Sequence, residues 1–237
     1  MSRLEIFGIT GLPEFRVGDD LATMIAAAAT EAGTPLADRD VVVVTQKIVS
    51  KVEDRLVPID PTDPLSHKPL VERESVRILR RRGELIISET VHGFVCANAG
   101  IDLSNVEAGY AALLPVDSDR SSRRIRDGLR GKAGVDVGVI ISDTFGRTWR
   151  RGVTDVAIGC AGIAAVIDLR GTNDALGREM QVTEVALADE IASAAELVMG
   201  KSTNIPVAVV RGLEAEWFRT SSIADEMIRH PADDLFR

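Results

Sequence analysis

Two aspartates, Asp102 and Asp143, each follow an apolar segment that is typical of a buried strand. The segment "VHGFVCANAGIDLSNV" (91–106) leads to the first, and "VDVGVIISDT" (135–144) leads to the second, with Thr144 beside it. A carboxylate next to a hydroxyl supplies the oxygen ligands that Mg²⁺ or Mn²⁺ prefers when phosphates complete its coordination. Aspartate is equally common in turns and helix caps. Spacing alone therefore allows a shared metal ion without requiring one.

Arginines and glycines surround the segment that follows the second aspartate. In "ISDTFGRTWRRGVTDVAIGCAGI" (141–163), Arg147 and Arg150 stand between glycines. A guanidinium group can bind phosphate or carboxylate oxygens through two donors, although arginines alone are more simply interpreted as a solvated face. Glycine lets the backbone approach a ligand closely, so the pattern favours a ligand-binding loop. The glycines concerned are Gly146, Gly152, Gly159 and Gly162.

Two lysines and one loop could complete an anion-binding site. Lys47 and Lys51 in "TQKIVSKVEDR" (45–55) are four residues apart and would share one helical face, but taken alone they are most simply surface residues. "GLPEF" (11–15) predicts a loop before the first helix, for which a plain turn is the simplest interpretation. "MGKST" (199–203) resembles the end of a phosphate-binding P-loop but lacks the earlier glycine and the preceding strand. It therefore predicts a helix end followed by a polar loop.

The elements that must position these residues alternate irregularly between strands and helices. Apolar, β-branched runs predict strands at 41–44, twice within 82–100, and over 135–144. Capping residues and amphipathic patterns predict helices over 18–33, 74–83, 118–134 and 184–200. The proline-rich stretch 58–69 predicts an exposed loop or a joint between two lobes. The predicted fold class is α/β, with a mixed sheet, and we expect residues 1–237 to form a single domain.

The composition describes a chain that can bury a core and carries an excess of acid. Of the 237 residues, 45% are hydrophobic, and 36 acidic residues against 28 basic ones give a formal charge of -8. This charge predicts no binding to nucleic acid or an anionic membrane, so an anionic ligand requires a local basic patch or a metal ion. Cys96 and Cys160 lie among small or apolar neighbours, which predicts reduced, buried thiols. We expect a soluble, cytoplasmic protein, because the longest uncharged apolar run is far shorter than the roughly 20 residues that span a bilayer.

Taken together, seven segments resemble the coenzyme F-420:L-glutamate ligase family, and the similarity runs in order over nearly the whole chain. The segments are "GITGLPEFRVGDDL", "VVVVTQKIVSKVEDRLV", "CANAGIDLSNV", "LLPVDSD", "IISDTFGRTWRRGVTDVAIGCAGI", "VTEVALADEIASAAELVMGK" and "PVAVVRG". Several of these blocks are long and unusual, which makes the resemblance more specific than any single motif.

The resemblance implies an activity and an assembly. GTP would phosphorylate the carboxylate of a deazaflavin precursor of coenzyme F-420, and the amine of L-glutamate would then attack the acyl phosphate. The family implies an unusual α/β fold with two lobes, an intertwined homodimer, two Mg²⁺ or Mn²⁺ ions per site, and K⁺. Anionic substrates suit an acidic protein only if metal ions and a few cationic side chains bring them together.

The resemblance also implies roles for individual residues. Asp102 and Asp143 would bind one divalent ion, and Thr144 a second. Our own assignment, beyond the resemblance, is that Lys51 holds phosphate and that Arg147 and Arg150 bind substrate carboxylate or phosphate. We therefore expect these three residues to serve catalysis. The implied contacts with the guanine nucleotide are Leu12, Pro13, Glu14, Phe15, Gln46, Lys47, Lys51 and Asn105.

The chain departs from the family pattern in one loop and leaves alternatives open. Archaeal members carry a longer, acidic, glycine-rich loop where this chain has "GKSTNIP" (200–206) with Lys201, so we expect the metal and nucleotide contacts there to differ. Some bacterial members continue into a reductase domain near the position of "HPADDLFR" (230–237), so the chain is either a free-standing ligase or one part of such a fusion. The alternative functions are a ligase for another carboxylate acceptor and a catalytically silent guanine-nucleotide-binding regulator.

Overall fold

The computed structural model describes residues 3–234 of the chain. The last three residues of the segment 230–237, at which a fusion was considered, lie outside this range. Within it, no helix has both the length and the apolar character needed to cross a bilayer.

The described chain forms twelve strands, of which five make the central sheet. The strands are β1 (Glu5–Gly8), β2 (Val41–Thr45), β3 (Leu56–Pro58), β4 (Ser75–Arg82), β5 (Leu85–Thr90), β6 (Val95–Ala97), β7 (Tyr110–Ala112), β8 (Gly138–Gly146), β9 (Val153–Ala161), β10 (Ile167–Asp168), β11 (Glu184–Val185) and β12 (Val207–Arg211). The central sheet has the order β1-β12-β2-β8-β9. Its only parallel pair within the described residues is β2 with β8, and the other neighbours are antiparallel.

Helices cover both faces of the central sheet. They are α1 (Leu21–Glu31), α2 (Gln46–Val52), α3 (Lys68–Arg73), α4 (Ser118–Ala133), α5 (Leu187–Met199) and α6 (Ile223–Glu226), with short 3-10 helices at Asn98–Gly100, Ala215–Trp217 and Pro231–Asp233. Side chains of α1 and α4 form one core with Val42 and Val44 of β2, whereas α5 packs on the other face against Val41 and Val43. Both faces of β2 are therefore buried, which is why its sequence is a continuous apolar run rather than an alternating one.

Smaller sheets extend from this three-layer body. The strands β4, β5 and β6 form an antiparallel sheet, β3 pairs with β7, and β10 pairs with β11. The stretch 58–69 runs from the end of β3 through turns to the start of α3, and so connects the body to the β4–β6 sheet. The mixed α/β class is confirmed, while the two lobes and the intertwined homodimer stay predictions.

Most predicted elements are present, but one was assigned to the wrong type. The stretch 74–83, predicted as a helix, contains the strand β4, which pairs with β5 through a bulged register. The basic end of this stretch suits a helix C-terminus. Its β-branched residues, however, also suit a strand, and the pairing with β5 in a hairpin decides the structure. The helix predicted over 184–200 begins at Leu187, because Glu184 and Val185 pair with β10.

Two of the glycines expected in a ligand loop instead serve the packing of α4. A Cβ atom at Gly159 would overlap the backbone of Ser118 at the start of α4. A Cβ atom at Gly162 would overlap the side chain of Arg126. These glycines therefore let α4 lie closely on the sheet, and that part of the ligand-loop interpretation is wrong.

Candidate active site

A cavity lies at the carboxyl ends of β2 and β8. Its volume is about 780 Å³. Ligands in α/β proteins are commonly bound at this end of the parallel strands. The cavity is lined by Leu12, Pro13, Glu14, Phe15, Thr45, Gln46, Lys47, Ile48, Lys51, Asp102, Ser104, Asn105, Asp143, Thr144, Val153, Asp155, Glu196, Met199, Gly200, Lys201, Asn204, Ile205 and Pro206.

The structure brings together every residue that we predicted to contact nucleotide or metal. They come from the loop 11–15, the helix α2, the turn after Asp102, and the strand β8. Arg147 and Arg150 do not line the cavity and lie in the exposed turn that joins β8 to β9. Proximity supports a common site, but the individual roles stay predictions.

Helix α2 presents its two lysines to the cavity. The side chains of Lys47 and Lys51 are only 14% and 12% exposed, so the simpler interpretation as surface residues is wrong. Lys47 Nζ lies 2.8 Å from an oxygen of Asp102 and 3.1 Å from Ser104 Oγ. Lys51 Nζ binds the carboxylate of Glu14, whose side chain is 78% exposed.

Asp102 is held by its own turn. Its backbone pairs with Ala112 in both directions, and its carboxylate accepts a 2.7 Å hydrogen bond from the N–H of Ser104. Burial by itself would raise the pKa of Asp102, but the hydrogen bonds from Lys47 and Ser104 outweigh it and lower the pKa below its ordinary value. The carboxylate is therefore ionised at neutral pH.

Asp143 has the opposite electrostatic character. It lies inside β8 opposite Val156, because the strand continues beyond its predicted end to Gly146. The pKa of Asp143 is raised to about 7, mainly by burial and in part by the negative charges of Asp102 and Asp155. Asp102 and Asp143 are thus close enough to repel each other. A cation bound between them would relieve this repulsion.

Asp155 and Lys201 are site residues that the sequence did not reveal. Asp155 is 3% exposed and accepts hydrogen bonds from Ser142 Oγ at 3.1 Å and Thr144 Oγ1 at 2.6 Å. Lys201 Nζ lies 2.9 Å from Asp155 and 2.8 Å from Glu196. The hairpin of β8 and β9 places Asp155 directly opposite Thr144. Recognition of that hairpin in the sequence would have indicated Asp155.

Only one of the two orientations of the Gln46 side-chain amide gives Ser50 and Gln46 a consistent set of hydrogen bonds. Ser50 Oγ lies 2.8 Å from Gln46 Oε1 and 2.6 Å from the carbonyl oxygen of Leu113, so one hydroxyl proton faces two acceptors. Gln46 Nε2 in this arrangement is a buried donor without a partner among the described residues. Turning the amide over lets Nε2 donate to Ser50 and Ser50 donate to Leu113. Gln46 then offers an acceptor oxygen instead of an orphaned donor.

The carboxylate oxygens of this cavity fit a divalent ion that prefers oxygen ligands and completes its coordination with water or phosphate. Five carboxylates and three lysines line it, which leaves an excess of negative charge when all are ionised. In the described part of the chain, no three His, Cys, Asp or Glu side chains converge as a complete metal cluster. Two carboxylates with no further protein ligand suit Mg²⁺ or Mn²⁺, because water and phosphate oxygens can complete the coordination.

The fold and the cavity define an α/β protein with a carboxylate- and lysine-lined site at the ends of its parallel strands. The model of the family "F420-0:Gamma-glutamyl ligase" matches residues 10–212. The chain belongs to this family.

Several relatives are similar over almost the full length. The coenzyme F420:L-glutamate ligase of Methanothermobacter thermautotrophicus is 39% identical over 249 residues, covering 99% of each chain. That of Methanopyrus kandleri is 44% identical over 239 residues, covering 94% of this chain and 93% of its own. That of Methanocaldococcus jannaschii is 36% identical over 252 residues, covering 99% of this chain and 97% of its own.

Proposed function

We propose that this protein is a GTP-dependent ligase that joins L-glutamate by an amide bond to the deazaflavin precursor of coenzyme F420. One observation carries the proposal beyond the family. The partly buried carboxylate of Asp143 lies beside Asp102 and within reach of the Lys47 charge, in a chain whose full-length relatives are named coenzyme F420:L-glutamate ligases.

The nucleotide is proposed to lie between the loop 11–15 and helix α2. Phe15 and Leu12 provide apolar contact in this part of the cavity, which Gln46 also lines. The ammonium groups of Lys47 and Lys51 then face the phosphates. Asn105, in a left-handed backbone conformation with φ of 52°, belongs to the turn after Asp102 that also lines the cavity.

Asp102 and Asp143 are the residues proposed to hold a divalent ion. A bound Mg²⁺ or Mn²⁺ would neutralise phosphate charge and orient the transferred phosphoryl group. Because the cavity carries more acidic than basic groups, a nucleotide triphosphate without this ion would meet net repulsion.

The reaction follows in two balanced steps. An oxygen of the acceptor carboxylate attacks the γ-phosphorus of GTP, and the bond to the β-phosphate oxygen breaks to release GDP. The amine nitrogen of glutamate then attacks the acyl carbon, the bond to the phosphate oxygen breaks, and the amine loses a proton. Lys47 and Lys51 contribute by holding the phosphate oxygens in place and by stabilising negative charge, which is most of what phosphoryl transfer requires of a protein.

The acceptor is proposed to meet the turn between β8 and β9. This turn continues from Thr144 and Val153 at the cavity wall, and its Trp149 is 90% exposed with φ of 65°. A bulky residue held exposed in this conformation is unusual, and an aromatic ring of a substrate would stack on it favourably. Arg150 beside it can bind the phosphodiester or carboxylate groups, whereas Arg147 donates to the Arg151 carbonyl and braces the turn.

Trp149→Ala is expected to raise the KM for the deazaflavin acceptor about tenfold while the KM for GTP stays within twofold, because one stacking contact contributes roughly 1 to 3 kcal/mol. Trp149→Phe should recover most of the loss. Steady-state kinetics with each substrate varied in turn provide the measurement, and an equal rise in both KM values would show that the turn has no selective contact with the acceptor.

Incubation with GTP, Mn²⁺, L-glutamate and the deazaflavin acceptor tests the function itself. Mass spectrometry should show products heavier by glutamyl units, with GDP and phosphate released in equal amounts. GTP binding without turnover would favour a regulatory module, and turnover only with a different carboxylic acid would favour a ligase for another acceptor. The homodimer and the K⁺ requirement remain predictions from the resemblance, to be checked by sedimentation and by replacing K⁺ with Na⁺ in this assay.

A further inference from the structure

The ammonium group of Lys201 sits where a second cation would be expected. Its Nζ binds Thr144 Oγ1 and lies 2.9 Å from Asp155 Oδ1 and 2.8 Å from Glu196 Oε1. A hydroxyl and two carboxylates are the oxygen ligands that a divalent ion would also select. Thr144 is the residue that the sequence resemblance assigns to the second metal ion.

Both carboxylate oxygens of Asp155 accept hydrogen bonds. Asp155 Oδ1 accepts from both Thr144 Oγ1 and Lys201, and Asp155 Oδ2 accepts from Ser142 Oγ. Asp155 has a side chain only 4% exposed, so its charge requires a compensating cation inside the protein. The other carboxylate pair differs. Lys47 forms an ion pair with Asp102, whereas no ammonium group within the described part of the chain forms an ion pair with Asp143.

The backbone around Lys201 directs its side chain toward these oxygens. Helix α5 ends at Gly200, which has φ of 59°, and Thr203 Oγ1 donates to the carbonyl oxygen of Met199. Asn105 Nδ2, in the turn that follows Asp102, donates to the carbonyl oxygen of Lys201 at 3.4 Å. The backbone of Lys201 is thus anchored, while its side chain is 57% exposed and ends at Asp155 and Glu196.

We propose that the ammonium group of Lys201 replaces the second divalent ion, so that the nucleotide complex of this chain holds one divalent ion, at Asp102 and Asp143. This inference rests on the proposed function, since it concerns the metal content of the same site. Lys201 then acts as a built-in cation that is shared by Asp155 and Glu196 and offsets one of their two negative charges. It is a positioning residue, because it acts through Thr144 and Asp155.

Counting bound Mn²⁺ tests the inference without measuring catalysis. The proteins, saturated with GDP, are titrated with Mn²⁺, and free Mn²⁺ is quantified by electron paramagnetic resonance. We expect one Mn²⁺ per chain in the unaltered protein and two in Lys201→Ala, in which Thr144, Asp155 and Glu196 become available. Lys132→Ala, at an exposed position on α4, serves as the matched control and should bind one.

The possible outcomes separate the inference from the proposed function. Two Mn²⁺ ions in the unaltered protein, or one in Lys201→Ala, would overturn the replacement by Lys201 while leaving a metal-dependent ligase intact. No Mn²⁺ in any of the proteins would overturn the proposed metal site as well. Lys201→Met is a second variant that removes the ammonium group but keeps the apolar stem, so a result shared with Lys201→Ala does not come from lost packing of the stem. In both Lys201 variants, added Mn²⁺ should restore a lowered melting temperature, whereas Lys132→Ala should show no such restoration.

Discussion

Asp143→Asn is expected to lower the ligase activity by about 10³-fold or more and, at the same time, to make the metal-free protein more stable above pH 7. The loss of activity follows from removing one of the two carboxylates proposed to bind the divalent ion, whose stabilisation of the transferring phosphoryl group is worth several kcal/mol. The gain in stability follows from removing a buried charge that faces Asp102 and Asp155.

The sign of the stability change depends on pH. Burial raises the pKa of Asp143 to about 7 from a model-peptide value of 3.8, so the folded protein keeps a proton that the unfolded chain has already lost. The free energy of unfolding therefore falls as the pH rises from about 4 to 7, and it levels off above 7. Asparagine carries no charge and avoids this decline. The advantage of the variant should be small near pH 4 and on the order of 4 kcal/mol at pH 8.

Urea denaturation at several pH values, with and without Mn²⁺ and GDP, measures this effect. Asp127→Asn, at an exposed position on α4, is the control and should change neither stability nor activity. Mn²⁺ with GDP should stabilise the unaltered protein more than Asp143→Asn. A variant that is less stable than the parent at pH 8 without metal would mean that Asp143 is already compensated in the folded protein.

The sequence was sufficient to predict the strands and helices that form the central layers. The four valines of β2 and the apolar run of β8 are long, β-branched runs that favour buried strands over other structures. Asp20 accepts a hydrogen bond from the Thr23 N–H at the start of α1, as capping residues do. The helix spacing of Lys47 and Lys51 also predicted their common face correctly. Their burial could not be predicted, because it depends on the loops that close over α2 from distant parts of the chain.

The parts of the site that the sequence did not reveal depend on contacts between segments far apart in the chain. Asp155 stands among residues typical of a strand, and only its pairing with Thr144 across the β8–β9 hairpin brings it to the cavity. Lys201 belongs to a segment that fails as a P-loop, and its contact with Asp155 spans 46 residues. The helix prediction for 74–83 is wrong for a related reason, because the hairpin of β4 with β5 overrides a local pattern that also fits a helix.

Lys51→Met is expected to lower kcat/KM for GTP by about 10²-fold or more. The substitution keeps an apolar stem of similar length and removes the ammonium group that would pair with a phosphate of GTP. Removing one member of a buried charge pair between binding partners costs roughly 2 to 5 kcal/mol. Fluorescence titration with a labelled GTP analogue should show the loss in the binding constant itself. Lys51→Arg should recover only part of it, because a planar guanidinium group does not occupy the position of a compact ammonium group.

Glu14→Gln provides the matched test of whether the ammonium group of Lys51 binds GTP in place of Glu14. Glu14 binds the Lys51 ammonium, but it is largely exposed on the loop 11–15, and such pairs contribute only about 0 to 1 kcal/mol. A phosphate group can therefore displace Glu14 at little cost, and removing its charge should tighten GTP binding a few-fold. Opposite effects of the two variants would identify Lys51 as a phosphate ligand that Glu14 holds in place until GTP arrives. Equal losses of affinity would instead make the pair a structural contact that positions the loop.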